Sequence, residues 1–136
     1  KLASLPPQIG KLSGLKWLRL NGNQLAGLPP EVGNLAGLER LYLEGNKLKG
    51  LPPDLSKLTN LTDLNLRKNE LEVLPQAVLQ LTNLARLDLE GNKLTALPDD
   101  IRKLTKLRTL SLLNNRFPES EKDKLEQVLP DCQIIF

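Results

Sequence analysis

The chain has 136 residues, which fits one domain, and it is 40% hydrophobic but only 3% aromatic, so leucine has to fill its interior almost alone. Nineteen basic against sixteen acidic residues leave a formal charge of +3, with both signs alternating along the chain, which argues against the concentrated basic face of a nucleic-acid binder. A single cysteine, Cys132, rules out an internal disulfide, and no apolar run approaches the roughly 18 residues of a membrane helix.

Residues 1–14 read as a partial repeat. Leu2, Leu5, Ile9 and Leu12 stand where later units carry their return path, but no strand precedes them. This edge is expected to expose an apolar patch near Leu2, Leu15 and Leu18. Further repeats or another chain would cover it, and self-association through it is one outcome.

From 15 to 116 a 23-residue unit recurs. Leu15, Leu38, Leu61, Leu84 and Leu107 open the units, and Asn23, Asn46, Asn69, Asn92 and Asn115 recur in register. A fixed period of this size means a stack of small units that bury their apolar faces on one another. In the unit Leu38–Asn60, apolar and polar residues alternate around Leu41 and Leu43, the mark of a half-buried strand from Leu38 to Leu43. Five such strands should lie side by side and in parallel, with Arg40, Tyr42 and Glu44 facing outward. Gly45-Asn46 must then turn the chain. An asparagine side chain holds donors and an acceptor, so one every 23 residues predicts a ladder of hydrogen bonds that closes the turns of successive units. The five asparagines are therefore assigned a structural role. Leu-Pro pairs at 5–6, 28–29, 51–52, 74–75 and 97–98 end each strand and start the return. Apolar residues three apart on the return, such as Leu55 and Leu58, suit short 3-10 turns.

The last segment, 117–136, departs from the unit: Phe117 and Ser120 stand where leucines are due. Pro118 to Leu129 reads as a helix with Ser120 as its N-cap and Leu125, Val128 and Leu129 as its apolar stripe. Cys132, Ile134 and Phe136 then alternate inward in a final strand. A terminal unit of different character is the expected cap of an array.

The pattern LxxLxLxxNxLxxLPxxIxxLxx, matched by LKWLRLNGNQLAGLPPEVGNLAG and by three further units, resembles the leucine-rich repeat family, in the Leu-Pro class of intracellular Ras-suppressor-type scaffolds and of many bacterial repeat proteins. The resemblance implies an α/β right-handed solenoid, or horseshoe. It would carry a concave parallel β-sheet, convex 3-10 turns and a C-terminal helix-plus-strand cap, all in one domain over 1–136. It also implies a non-enzymatic module that binds a protein partner through the concave face. The cap suits a bacterial source. With one cysteine, a cytoplasmic location is expected, with a bacterial secreted or surface location as the alternative.

Outward positions form rows across the units. Trp17, Arg19, Arg40 and Tyr42 make a two-by-two patch that holds the only Trp and the only Tyr. These residue types are enriched at binding hot spots. They are the partner-binding candidates together with Asp63, Arg86 and Asp88. The alternatives are that the arginines cover the rings as cross-strand pairs, or that Trp17 packs under a further repeat upstream. Arg40–Asp63–Arg86, Glu44–Arg67–Glu90 and Lys16–Glu39 alternate in sign across neighbouring strands and are expected to pair.

Chemistry finds little footing. Asp88 and Glu90 have the spacing of paired carboxylates, but Arg67 and Arg86 should keep both ionised, and an open sheet excludes no water. With no His and an inward Cys132, neither a zinc ligand set nor an activated thiol is present. Gly45 to Gly50 mimics a phosphate loop but continues Leu51-Pro52 instead of Lys-Ser/Thr. Asn60-Leu61-Thr62 matches a glycosylation sequon. No cofactor is implied. Two readings remain beside a binding module: a structural or targeting arm of a larger protein, and a designed scaffold with no natural ligand.

Overall fold

The computed structural model describes the chain from Lys1 to Phe136. Six strands of three residues each, β1 (Trp17–Arg19), β2 (Arg40–Tyr42), β3 (Asp63–Asn65), β4 (Arg86–Asp88), β5 (Thr109–Ser111) and β6 (Gln133–Ile135), form one parallel sheet in chain order. The register advances by one repeat per strand: Leu18 lies beside Leu41, then come Leu64, Leu87 and Leu110, and Ile134 of β6 closes the row. The strands are shorter than the alternation predicted. Leu38 N–H already bonds Leu35 C=O at 2.9 Å, finishing the preceding turn, and cannot join the sheet. Behind the sheet the return paths coil into 3-10 turns, Pro7–Lys11, Pro30–Asn34, Pro53–Lys57, Gln76–Gln80 and Asp99–Lys103, as expected.

Between sheet and turns lies one continuous core of 31 buried apolar residues, nearly all leucine. Leu41, Leu64 and Leu87 are at most 2% exposed, whereas Leu18 in the same row is only half buried because no coil covers it. The leucines are thus interior by virtue of their neighbours, which is the physics of a stacked array.

The asparagine ladder is present. Asn69 Oδ1 accepts the Leu48 N–H at 3.0 Å, and its Nδ2 donates to Leu66 C=O in its own coil and to Leu43 C=O in the preceding coil, both at 3.0 Å. Asn46 and Asn92 repeat this set, so Leu43 C=O accepts from Asn46 and Asn69, and Leu66 C=O from Asn69 and Asn92. These three asparagines are buried, while Asn23 and Asn115, at the two ends, are half buried. A second ladder, unexpected from the sequence, runs along the coils at Asn60, which donates to Ala36 C=O at 3.0 Å, and Asn83, which donates to Thr59 C=O. The sequon asparagine is thus a rung of that ladder.

The residue before each ladder asparagine adopts the left-handed conformation in all five units: Gly22, Gly45 and Gly91 at φ 69–72°, Lys68 at 55° and Asn114 at 56°. Lys68 is the position where a branched-off Cβ is strained, at about 1–2 kcal/mol. Lys68→Gly is expected to stabilise the fold by about 0.5–1 kcal/mol after the greater freedom of glycine in the unfolded chain is set against the relief. Urea denaturation reads this directly, and a loss of stability would show that the Lys68 stem against Gly91 matters more than the strain.

Helix α1 (Glu119–Val128) and β6 cap the last coil. Leu125 and Leu129 are buried and Val128 packs beside them. The predicted N-cap is corrected: Pro118, extended at φ −72° and ψ 160°, occupies that position, and no side chain caps the helix. A proline has no N–H to leave unpaired, and its fixed φ suits the start of a helix. Ser120 falls within the first turn, where Glu119 and Glu121 face the positive end of the helix dipole. Cys132 is half buried against the core, and burial pushes its thiol above the usual value against the pull of Arg108.

Candidate recognition face

The outward residues of β1 to β5 form one open surface. At its N-terminal end the Arg40 guanidinium lies over the Trp17 ring, 4.5 Å from its centroid, and Arg19 lies over Tyr42 at 5.3 Å. The sheet dictates both stacks, since Trp17 and Arg40 are register partners, as are Arg19 and Tyr42. The pairing foreseen as the alternative to a binding anchor therefore exists. It does not hide the ring: Trp17 remains 60% exposed. Each stack holds a cation and an aromatic face in one orientation, which lowers the ordering cost of a contact made there.

The three charge rows behave differently. Glu44–Arg67–Glu90 pairs as predicted, with Arg67 Nη2 3.1 Å from Glu90 Oε1 and Nε 3.7 Å from Glu44 Oε1. Arg40–Asp63–Arg86 does not: no ion pair forms in that row, because Arg40 turns onto Trp17 and Arg86 stays exposed. Nor does Lys16 pair with Glu39; its ammonium lies near Gly37, 3.3 Å from where a Cβ would sit. Opposite signs in adjacent strands bring backbones together, but rotamer choice decides which heads meet.

Between β2 and β6 the face sinks into a hollow of about 440 Å³. Tyr42, Asp63, Arg86 and Asp88 line it, as do Arg67, Glu90 and Ser111, with Leu113 and Ile135 as an apolar wall. Four of the seven predicted residues thus meet in the hollow, while Trp17, Arg19 and Arg40 stand outside it toward the free edge. Leu113 and Ile135 were not among the predicted site residues. The signal for Leu113 was present: it is the one apolar member of the row Asn21, Glu44, Arg67, Glu90, Leu113.

Asp88 has two attachments. Its Oδ1 accepts the Glu90 N–H at 3.0 Å, as Asn65 Oδ1 accepts the Arg67 N–H at 2.9 Å one coil earlier. Burial raises its carboxyl above the ordinary aspartate value; the bond from Glu90 and the charge of Arg67 oppose this, and Glu90 and Glu44 reinforce it. Desolvation outweighs the charge of Arg67. A folded-state value above the unfolded one means that the contribution of Asp88 to stability is fully present below the unfolded value, about 3.9, and is lost as pH rises through the folded value. Asp88→Asn keeps the acceptor, as Asn65 shows, and removes the charge. It is expected to raise Tm at pH 7 and leave it unchanged near pH 3, as measured by thermal melts across that range.

The family model described as leucine rich repeat matches residues 13–71 and 59–117. The chain belongs to the leucine-rich repeat family. Among solved structures, this leucine-rich repeat chain superimposes over its full length on a Leptospira interrogans LRR protein, at 41% identity and a TM-score of 0.96, and spans 35% of that protein. It is similar over 97% of its length to the LRR ectodomain of the membrane receptor kinase GASSHO1/SCHENGEN3 from Arabidopsis thaliana in complex with Casparian strip integrity factor 2, at 35% identity and a TM-score of 0.77, covering 16% of that chain. It is similar over 88% of its length to TLR13 in a complex with ssRNA13, at 31% identity and a TM-score of 0.76, covering 18% of that chain. The leucine-rich repeat chain thus spans about a third of the Leptospira structure and less of the others. No curated protein matches it.

Proposed function

We propose that this leucine-rich repeat domain is a non-enzymatic recognition module that binds a protein or peptide partner on its concave face. The observation that carries this reading is Trp17, 60% exposed yet held by Arg40 at the rim of a face that also carries the hollow. Receptor relatives solved with a bound ligand support it as a use of the fold. A protein is favoured over the RNA of the TLR13 complex because Glu44, Asp63, Asp88 and Glu90 lie on this face and would repel phosphates. The share of each relative that the chain spans supports a second reading, in which the domain is the targeting arm of a larger protein.

The test compares wild type with Trp17→Ala/Arg40→Ala against the partner recovered from the source cell. The double variant is expected to bind more than tenfold more weakly with Tm nearly unchanged, since an exposed stack of this kind contributes only about 0.5–1 kcal/mol to the fold. Unchanged affinity, or a loss that follows a loss of stability, would overturn the reading.

A further inference from the structure

The hollow has its cause in one row of the sheet. From β2 to β6 that row reads Tyr42, Asn65, Asp88, Ser111 and Ile135, level with one another by register. The middle three side chains are short and polar and the ends are bulky, so the face drops over Asp88. Its floor is short of positive charge. Glu44 and Glu90 both pair with Arg67, and Arg67 is also the cation whose charge acts on Asp88, so three carboxylates share one guanidinium. Arg86, the other cation lining the hollow, forms no ion pair. Asp88 Oδ1 is taken by the Glu90 N–H, while Oδ2 makes no hydrogen bond. Beside it Ser111 lines the hollow at only 9% exposure, yet no protein group bonds its hydroxyl. Buried polar groups are normally bonded, and the direction open to this one is the hollow.

We propose that the hollow seats a lysine side chain of the partner, its ammonium held by Asp88 Oδ2 and Ser111 Oγ and its stem laid against Leu113 and Ile135. The inference rests on the concave-face reading and names what that face selects. Lysine is favoured over arginine because only one oxygen of Asp88 is unengaged. A guanidinium binds best as a fork to both oxygens of a carboxylate, whereas an ammonium is a compact charge with three donors. Asn65 Oδ1, on the other side of Asp88 in the row, has a second lone pair to offer as the third acceptor. Ile135 stands two strands from Asp88, about 10 Å at the usual strand spacing, a span that an extended lysine covers with its ammonium in bonding reach of the carboxylate. Leu113 and Ile135 give its methylenes an apolar wall.

The probe is acetyl-Gly-Lys-Gly-amide, titrated into the full chain while the Asp88 carboxyl and Ser111 amide resonances are followed by NMR. Saturable shifts at both are expected. Norleucine or acetyl-lysine in place of the lysine keeps the stem and loses the charge, and should weaken binding about tenfold or more, the loss of a charged hydrogen bond. Arginine in its place should also bind more weakly. Asp88→Asn keeps the acceptor for the Glu90 N–H, as Asn65 shows, and should cost about as much as loss of the probe's charge. Ser111→Ala should weaken binding by less. Saturating probe should lower the Asp88 titration, which burial raises, because a nearby cation favours the charged form. Binding should therefore strengthen as pH rises through the Asp88 value. Glu44, Asp63 and Arg67 from the earlier coils and Arg86 and Glu90 on its own coil face Asp88, so its own resonance is the readout. Absence of a saturable shift, equal binding of the norleucine or arginine probe, an unmoved Asp88 titration, or full binding by Asp88→Asn would overturn the proposal. Trp17 and Arg40 stand outside the hollow, so the two claims fail separately. A silent probe beside a partner that still requires Trp17 and Arg40 strikes the lysine seat alone. A bound probe beside a partner indifferent to Trp17→Ala/Arg40→Ala strikes the aromatic anchor alone.

Discussion

Asn69→Leu is expected to cost about 3–5 kcal/mol. The figure is built from one buried backbone N–H, that of Leu48, left without a partner at about 1–3 kcal/mol, and from the lost bonds to Leu43 and Leu66 C=O at about 1 kcal/mol each. Those two carbonyls retain Asn46 and Asn92 as donors, which limits the damage. Asn69→Asp separates donor from acceptor. It keeps the acceptor for Leu48 N–H but sets a carboxylate against two carbonyl oxygens in a buried site, so its folded-state pKa must rise. The sign follows: Asn69→Asp should be least stable above neutrality and recover as pH falls, when the acid proton can be donated to a carbonyl, whereas Asn69→Leu should follow the pH dependence of wild type. Urea denaturation from pH 4 to 8 measures both. Asn23→Leu, at the half-buried end, should cost much less. A Leu variant within about 0.5 kcal/mol of wild type, the range of an ordinary surface change, would mean that the ladder is ornament rather than support.

Gly33→Ala is expected to destabilise by about 1–3 kcal/mol, the range for forcing an extra carbon into a packed site. A Cβ at Gly33 would stand 2.5 Å from Asp54 O and 3.0 Å from Asp54 Cβ, and the first of these belongs to backbone that cannot swing aside. Gly10 meets Glu31 O in the same way at 2.8 Å. Gly50 is the control. Nothing lies within 4 Å of its Cβ position, so Gly50→Ala should be neutral or stabilising by up to about 1 kcal/mol through the unfolded chain. Equal effects at the two positions would show that coil spacing adjusts freely, and thermal melts would reveal it.

Residues whose role depends on spacing were legible before the coordinates. Asn46 had to find partners because it recurs at 23 residues, and Trp17 had to neighbour Arg40 because both occupy one position of the unit. The cap was legible in kind but not in its first residue, because Pro118 and Ser120 are both credible starts and only the backbone path decides between them. Contacts made by long side chains were not legible. Arg67 and Arg86 both neighbour an acid on an adjacent strand, yet Arg67 bridges two glutamates and Arg86 pairs with none. The left-handed turn could have been read from Gly22, Gly45 and Gly91, which would have singled out Lys68. The first thirty residues hold Lys1, Lys11, Lys16 and Arg19 and no acid, a bias that needed only counting by segment; along the whole chain the signs do alternate, and that average hid it.

The position occupied by Gly10 and Gly33 passes to Ser56, then to buried Leu79 and to Arg102 in later coils. The 3-10 turns lie closest in the first three coils and draw apart toward the fifth. Since strand spacing in the sheet is held near about 4.8 Å, the thickness at this one position sets the local radius of the arch. Buried Leu79 stands where Gly33 lets neighbouring turns close up, so its bulk is a wedge set from the outside, whereas the glycine pair lets the turns at the Trp17 end lie close together. Bulk on the convex side would then choose how tightly the concave side curves, which makes Leu79→Ala and Gly33→Ser changes of shape rather than of chemistry.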